Sequence, residues 1–398
     1  MRKLFAQLHL WLSIPFGIII AIVCLTGAIL VFESEIQELC HPSHYFVKEV
    51  KGEPLPPAAL IKAGRQQLPD SVKINGIRVS SDPKRTWQLV LPGKKAAAFI
   101  NPYTAEVTGI ADGQGFFMQM MRLHRWLLDS YKRDGSFSLG KAVVGYATLA
   151  LAIILISGLV IWYPRNRKVL KNRLKIKTKA GWYRFFYDLH VSGGFYATLL
   201  LLVLTLTGLT WSFGWYRDAF YTVFGVETTL TQAHAPAATP APSAQEASSR
   251  ERGSGNREGN REGNRERGSG AGRERSQKRT DYRQWAEVLS TLQSQYKEYN
   301  SITIQDGSAT VSTARYGNTR GSDRYTFNPA TGEITEVQLY KDLPKSGKIR
   351  GWIYSVHAGT WGGMTTKILS CLVSFLGAVF AITGYYFWIK KKLRKRKK

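Results

Sequence analysis

Four stretches of this chain contain no Asp, Glu, Lys or Arg and are long enough to cross a bilayer: Leu10–Phe32, Ala142–Tyr163, Leu189–Tyr216 and Ile368–Ile389. A helix needs about 20 predominantly apolar residues to traverse the hydrocarbon core. Each stretch therefore predicts a transmembrane helix, and the chain is read as an α-helical membrane protein.

The formal net charge of +27 would suggest nucleic acid if it were spread over one surface. It is not. Arg2 and Lys3 precede the first stretch; a run from Arg165 to Arg184 without an acid separates the second from the third; Lys390 to Lys398 is an almost unbroken basic tail after the fourth. The segment 33–139 is close to neutral. Short basic loops are retained in the cytoplasm, so the charge sets topology, with both termini cytoplasmic, and requires no nucleic acid. The first stretch is too long for a signal-peptide core and ends in Val31-Phe32-Glu33 without a small-residue cleavage site. It is expected to remain as an anchor. Of the three cysteines, only Cys40 lies outside a predicted span, so no disulfide framework is expected.

The chain also repeats itself. His9 and His190 follow a basic residue (Lys3, Arg184) at the same interval, and each is followed at one spacing by Thr-Gly: Thr26-Gly27 and Thr207-Gly208. Ser157-Gly158 precedes Trp162 as Thr383-Gly384 precedes Trp388, and a lysine (Lys141, Lys367) opens both of those spans. Between the spans, Phe99–Thr108 and Phe327–Thr335 each read as strand, Asn-Pro turn, strand. Alternating stretches lie upstream (Val72–Val79 and Trp87–Leu91; Ile302–Ile304 and Ala309–Val311), and a histidine lies downstream of each (His124, His357). The expected fold is thus four transmembrane helices from a tandem duplication with two small α+β outer modules, the copies related by an axis along the membrane normal.

In residue numbers the layout is: 1–9 cytoplasmic, 10–32 first span, 33–139 outer module, 140–163 second span, 164–188 basic loop, 189–216 third span, 217–365 second outer module, 366–389 fourth span, 390–398 basic tail. Within the second module, 231–278 is Ala/Pro-rich and then carries three Gly-Asn-Arg-Glu repeats, a composition that predicts a disordered linker.

Of seven histidines, four occupy repeat-equivalent positions. His9 and His190 fall near the cytoplasmic ends of spans one and three, and His124 and His357 just before spans two and four. A two-fold axis along the normal pairs His9 with His190 and His124 with His357. Two readings fit each residue: a polar anchor at headgroup depth, or one of two axial ligands of a six-coordinate b-type haem, which bundle cores supply from facing helices. Small residues that could admit a ring lie nearby (Gly17, Ser192, Gly193, Gly194, Gly359, Gly362, Gly363), as do aromatics that could wall one (Trp11, Phe185, Phe186, Phe195, Trp126, Trp352, Trp361). A span of this length rises ~35 Å at 1.5 Å per residue, so two haems would form a relay between faces. The Thr-Gly and Ser-Gly pairs read as sites of close helix packing. Cys40, His41 and His44 have a spacing that could hold a soft metal, but the second copy has no counterpart. His234 opens the low-complexity insert and predicts no site. No dinucleotide fingerprint, P-loop, His-Glu-x-x-His or nucleophile elbow is present.

Leu8-His9-Leu10-Trp11 with Thr26-Gly27, the Asn-Pro turns, Leu123-His124-Arg125-Trp126, Leu189-His190 with Thr207-Gly208, and Val356-His357-Ala358-Gly359 together resemble the PepSY-associated transmembrane family. The resemblance covers nearly the whole chain apart from the insert. It implies a bacterial inner-membrane protein with periplasmic PepSY-type modules. It further implies two b-type haems and a ferric-siderophore-reductase activity on periplasmic Fe(III) chelates; with no nucleotide or flavin motif in the chain, quinol or a separate flavoprotein is the expected electron donor. A different function class also fits: a non-redox scaffold in the lipid whose outer modules bind or regulate a peptidase or other partner.

Overall fold

The computed structural model describes residues 1–93, 95–129, 137–164, 166–226, 282–313 and 317–396. The expected linker 231–278 lies outside the described residues, as does His234.

In chain order, α1 (Arg2–Val31) leads with little break into α2 (Glu33–Cys40) and the single turn α3 (Pro42–Tyr45). Then come α4 (Pro57–Gln67), β1 (Gly76–Ser80), β2 (Trp87–Val90), β3 (Ala97–Ile100), β4 (Val107–Ala111), α5 (Phe116–Trp126) and α6 (Leu139–Trp162). After α7 (Arg167–Arg173), α8 (Trp182–Asp188) runs through a π turn at Leu189–Gly193 into α9 (Gly194–Ser212), followed by α10 (Gly214–Val223). The order α4-β1-β2-β3-β4-α5-α6 then recurs as α11 (Trp285–Gln295), β5 (Ser301–Gln305), β6 (Ser308–Ser312), β7 (Ser322–Phe327), β8 (Ile334–Gln338), α12 (Lys345–His357) and α13 (Gly363–Arg396).

Among the described residues four helical stretches are long and apolar enough to span a membrane: Arg2–Val31, Leu139–Trp162, Trp182–Ser212 and Gly363–Arg394. Each coincides with a predicted span, but the ends differ for local reasons. α6 starts where the Ser138 hydroxyl accepts from Lys141 N and the Asp129 carboxylate accepts from Gly140 N, an N-cap arrangement. It stops before Tyr163-Pro164, since the residue ahead of a proline is pushed out of the helical region. The third span begins earlier than its apolar stretch because α8 and the π turn continue into it. It also ends earlier: Phe213 turns extended (φ −125°) and Gly214 starts a separate helix. Threonines inside the bundle return their hydroxyl protons to their own helix, as Thr26 does to Ile22 O (2.7 Å) and Thr205 to Leu201 O (2.7 Å).

The strands do not form two separate modules, as the sequence suggests, but one eight-stranded antiparallel sheet in the order β4-β3-β2-β1-β5-β6-β7-β8. The seam is the β1–β5 pair, with Ile77 opposite Ile304 and Arg78 opposite Thr303. This join is invisible to a reading of each segment alone, because strand alternation gives no partner. On one face Ile77, Val79, Leu89, Ile302, Ile304, Val311 and Phe327 alternate inward and are covered by Leu60 and Ile61 of α4 and Trp285 and Leu292 of α11. The two Asn-Pro hairpins are alike. Asn101 N bonds Glu106 O and Asn328 N bonds Glu333 O, both at 2.8 Å. The left-handed position is filled by Ala105 (φ 58°) in one and Gly332 (φ 76°) in the other, and only glycine takes it without a steric cost. β4 and β8 are the outer strands, and each leads onward to a helix carrying a histidine, α5 or α12.

Candidate functional site: four clamped histidines

His9 lies within α1, His190 in the π turn, His124 on α5 and His357 at the end of α12. Each ring meets another helix in the same way. His124 Nδ1 lies 2.9 Å from Val23 O and 3.2 Å from Thr26 Oγ1. His357 Nδ1 lies 2.9 Å from Leu204 O and 3.2 Å from Thr207 Oγ1. His9 Nδ1 lies 3.0 Å from Ile154 O and 3.1 Å from Ser157 Oγ. His190 Nδ1 lies 2.9 Å from Thr383 Oγ1 and bonds the Phe380 backbone one turn earlier.

The tautomer follows from these contacts. A carbonyl oxygen can only accept. Each hydroxyl proton is already committed to its own helix: Thr26 to Ile22 O (2.7 Å), Ser157 to Ile154 O (2.9 Å), Thr207 to Val203 O (2.7 Å), Thr383 to Val379 O (2.8 Å). Nδ1 must therefore carry a proton and donate, so that in the neutral ring the lone pair lies on Nε2. This is the state a metal-ligating histidine needs, with its second nitrogen fixed by an oxygen acceptor.

The residue after each hydroxyl is glycine, and a Cβ there would meet the clamped ring. The distances to Cε1 are 3.0 Å at Gly208 (His357), 3.1 Å at Gly27 (His124), 3.4 Å at Gly158 (His9) and 3.7 Å at Gly384 (His190). The Ser/Thr-Gly pairs are thus histidine docks: the hydroxyl accepts and the glycine clears the ring. Sequence reading assigned them to helix packing. The signal that could have corrected this was their fixed spacing to the spans, repeated four times.

The clamps bring the histidines together across the two halves. The His124 and His357 ring centroids are 6.1 Å apart at 54°. With metal–nitrogen bonds of about 2 Å, a linear N–metal–N unit sets two imidazole centroids roughly 6 Å apart, so this pair fits a shared metal centre. Along α1 the distance from His9 to the Val23–Thr26 dock is about four turns, roughly 21–25 Å, shorter than the ~35 Å of a full span, because both pairs sit inside the helix ends.

Several neighbours have roles other than those expected. A Cβ at Gly17 would meet the Tyr385 ring at 2.7 Å, one at Gly359 would meet Ser370 at 2.7 Å, and one at Gly362 would meet Thr366 at 2.6 Å. These glycines admit side chains of neighbouring elements, not a cofactor ring. Ser192 donates to Lys175 O. Trp11 is 68% exposed, as befits a lipid-facing side chain, and Phe195 stacks on Trp162 at 3.6 Å. Among the described residues, the aromatics that touch a clamped histidine are Trp211 on His357 (5.1 Å) and Phe380 and Phe387 on His190 (both 5.9 Å), none of which the sequence singled out.

At Cys40-His41-Pro42-Ser43-His44 the His41 and His44 rings stack at 5.1 Å, and His44 packs on Phe99 and over Gly109. Burial and the neighbouring His41 hold the His44 pKa below the usual imidazole value. Among the described residues, no three His, Cys, Asp or Glu side chains converge on a common point that could hold a metal ion. His44 is accounted for by packing between α3 and the sheet.

Four apolar helices enclosing four histidines clamped at Nδ1, with an antiparallel sheet built from the segments between them, define a multi-pass membrane protein. The family model described as the PepSY-associated TM region matches residues 6–391, and the chain belongs to that family. No curated protein matches the chain.

Proposed function

We propose that the chain is a bacterial inner-membrane di-haem electron-transfer protein that reduces Fe(III) chelates in the periplasm. The observation that carries this reading is the common clamp on His9, His124, His190 and His357, together with the 6.1 Å spacing of His124 and His357. Structural anchors at a membrane surface have no need of four Nδ1 atoms clamped alike on the neighbouring helices.

His9 and His190 would hold one b-type haem and His124 and His357 the other. Bound there, these groups supply one-electron transfer between the two faces. The chain's own part is to fix each imidazole in the ligating tautomer, to raise its basicity through Nδ1–H bonds to carbonyl and hydroxyl oxygens, and to keep water from the pairs within the bundle. The basic ends at Arg2, Arg167–Arg184 and Lys390–Arg394 support a cytoplasmic placement for the His9/His190 side, where quinol or a separate flavoprotein would donate. The sheet then lies in the periplasm, beside the His124/His357 pair. Each Fe(III) takes one electron and becomes Fe(II), which chelators built for Fe(III) release. The matching order of elements in the two halves, and the pairing of Arg78 with Thr303 at their seam, support descent from a tandem duplication.

The test is anaerobic mixing of dithionite-reduced, desalted protein with ferric chelates while the haem absorbance is followed. Reoxidation with stoichiometric appearance of Fe(II) is expected. A protein that carries haem yet stays reduced in the presence of every chelate would not be a ferric reductase. One that never acquires haem would revert to the scaffold reading.

A further inference from the structure

The sheet has a second face, opposite α4 and α11. The register places Gln88, Arg78, Thr303, Thr310 and Arg324 in one cross-strand row on it. Over β3 and β4 this face is closed by α3, where His44 and Tyr45 pack on Phe99. At the β2–β1–β5 centre it opens into a cleft of about 410 Å³, lined by Arg78, Arg85, Tyr45, Ser80, Gln88 and Asn300 among others. The Tyr45 hydroxyl donates to Gln37 on α2, the continuation of α1, so the cleft lies on the side of the sheet that faces the helix end.

The two guanidinium groups differ in what neutralises them. Arg85 is held by both oxygens of Glu38 (2.8 and 3.0 Å), and Asp82 lies 3.8 Å away. Asp82 also accepts from the Lys84 amide (2.9 Å). Arg78 has only neutral acceptors, Thr303 Oγ1 and Gln88 Oε1, each at 3.2 Å. No carboxylate pairs with it among the described residues, and its side chain stands exposed on β1. Arginine stays protonated. An accessible cation with unused donors, flanked by hydroxyls and amides and with no carboxylate on it, is free to take a charge-assisted bond to an oxygen anion. A cleft of a few hundred Å³ is the size that takes a small molecule.

We propose that this cleft binds an anionic, oxygen-rich small molecule through Arg78, and that this molecule is the ferric chelate reduced by the protein. The assignment of the ligand as acceptor rests on the function proposed above; the binding site itself does not. Arg78 supplies the charge, while Ser80, Gln88 and Asn300 supply neutral hydrogen bonds around it.

The test is binding of ferric citrate to the full chain in detergent, by calorimetry, for the wild type, Arg78→Gln, Arg78→Lys and Lys62→Gln. Lys62 is exposed on α4, across the sheet from the cleft, so its loss removes the same charge elsewhere. Wild type and Lys62→Gln are expected to bind alike, Arg78→Gln at least tenfold more weakly, and Arg78→Lys in between. A neutral ferric hydroxamate is expected to bind with no dependence on Arg78. Equal weakening in Lys62→Gln and Arg78→Gln, or no binding by the wild type, would overturn the site. The visible spectrum separates the two proposals. Haem-loaded protein that ignores ferric citrate removes the site and spares the redox reading; colourless protein that binds it through Arg78 does the opposite.

Discussion

In the first half of the chain His9 projects from an unbroken α-helix, whereas its counterpart His190 sits in a π turn between α8 and α9. His357 has Trp211 against it and His190 has Phe380 and Phe387. At the same offsets from the docking hydroxyl the first half carries Leu30, Ile154 and Ile161. Yet Nδ1 meets a carbonyl and a hydroxyl in both halves, and a glycine clears the ring in both. What varies between the halves is the surrounding; what stays is the clamp. The difference therefore separates the part that orients an imidazole from the part that only encloses it, and π turns are a recurrent way to re-aim a functional residue within a helix.

The glycines allow that comparison to be broken most sharply. Gly208→Leu drives a side chain into the His357 ring and is expected to abolish the His124/His357 site, read as the loss of one haem per chain. Alanine should act in a graded order, strongest at Gly208 and Gly27 and near silent at Gly384, where a Cβ has an ordinary 3.7 Å contact. Equal tolerance at all four positions would mean that the rings are not held where the structure has them. Next in size is the seam, where the halves should matter equally. Ile77→Ala and Ile304→Ala both empty a fully buried position and should each cost about 2–5 kcal/mol in denaturant unfolding followed by tryptophan fluorescence. A large cost in one and none in the other would argue for two independent modules. The smallest effect is that of one acceptor. Thr207→Val and Thr26→Val leave the carbonyl in place, so each should lose only about 0.5–1.5 kcal/mol and shift the haem midpoint potential without releasing the group. An unshifted potential in both would deny the hydroxyls any part in tuning.

Much of this was legible in the sequence. Uncharged runs longer than 20 residues and one-sided basic flanks leave few alternatives for the spans; His9 and His190 stand at one interval from Thr-Gly, and His124 and His357 follow matching Asn-Pro hairpins, which marked all four rings. Two things were not legible. Strand alternation shows which side chains of Ile77 and Ile304 point inward but not that β1 and β5 pair, since that contact joins segments more than two hundred residues apart. The role of Thr26, Ser157, Thr207 and Thr383 was hidden for a related reason. A hydroxyl beside a glycine in a membrane helix signals close approach, and only the structure shows that what approaches is an imidazole nitrogen.

The central claim is that four imidazoles hold two haems in pairs. Its most direct test is haem stoichiometry per chain, with oxidised and reduced visible spectra, for the protein purified after haem-replete expression and for His9→Ala, His190→Ala, His124→Ala and His357→Ala. Two low-spin b-type haems are expected in the wild type and one in each variant, with His9→Ala matching His190→Ala and His124→Ala matching His357→Ala. A colourless wild type, or two haems retained in all four variants, would contradict it.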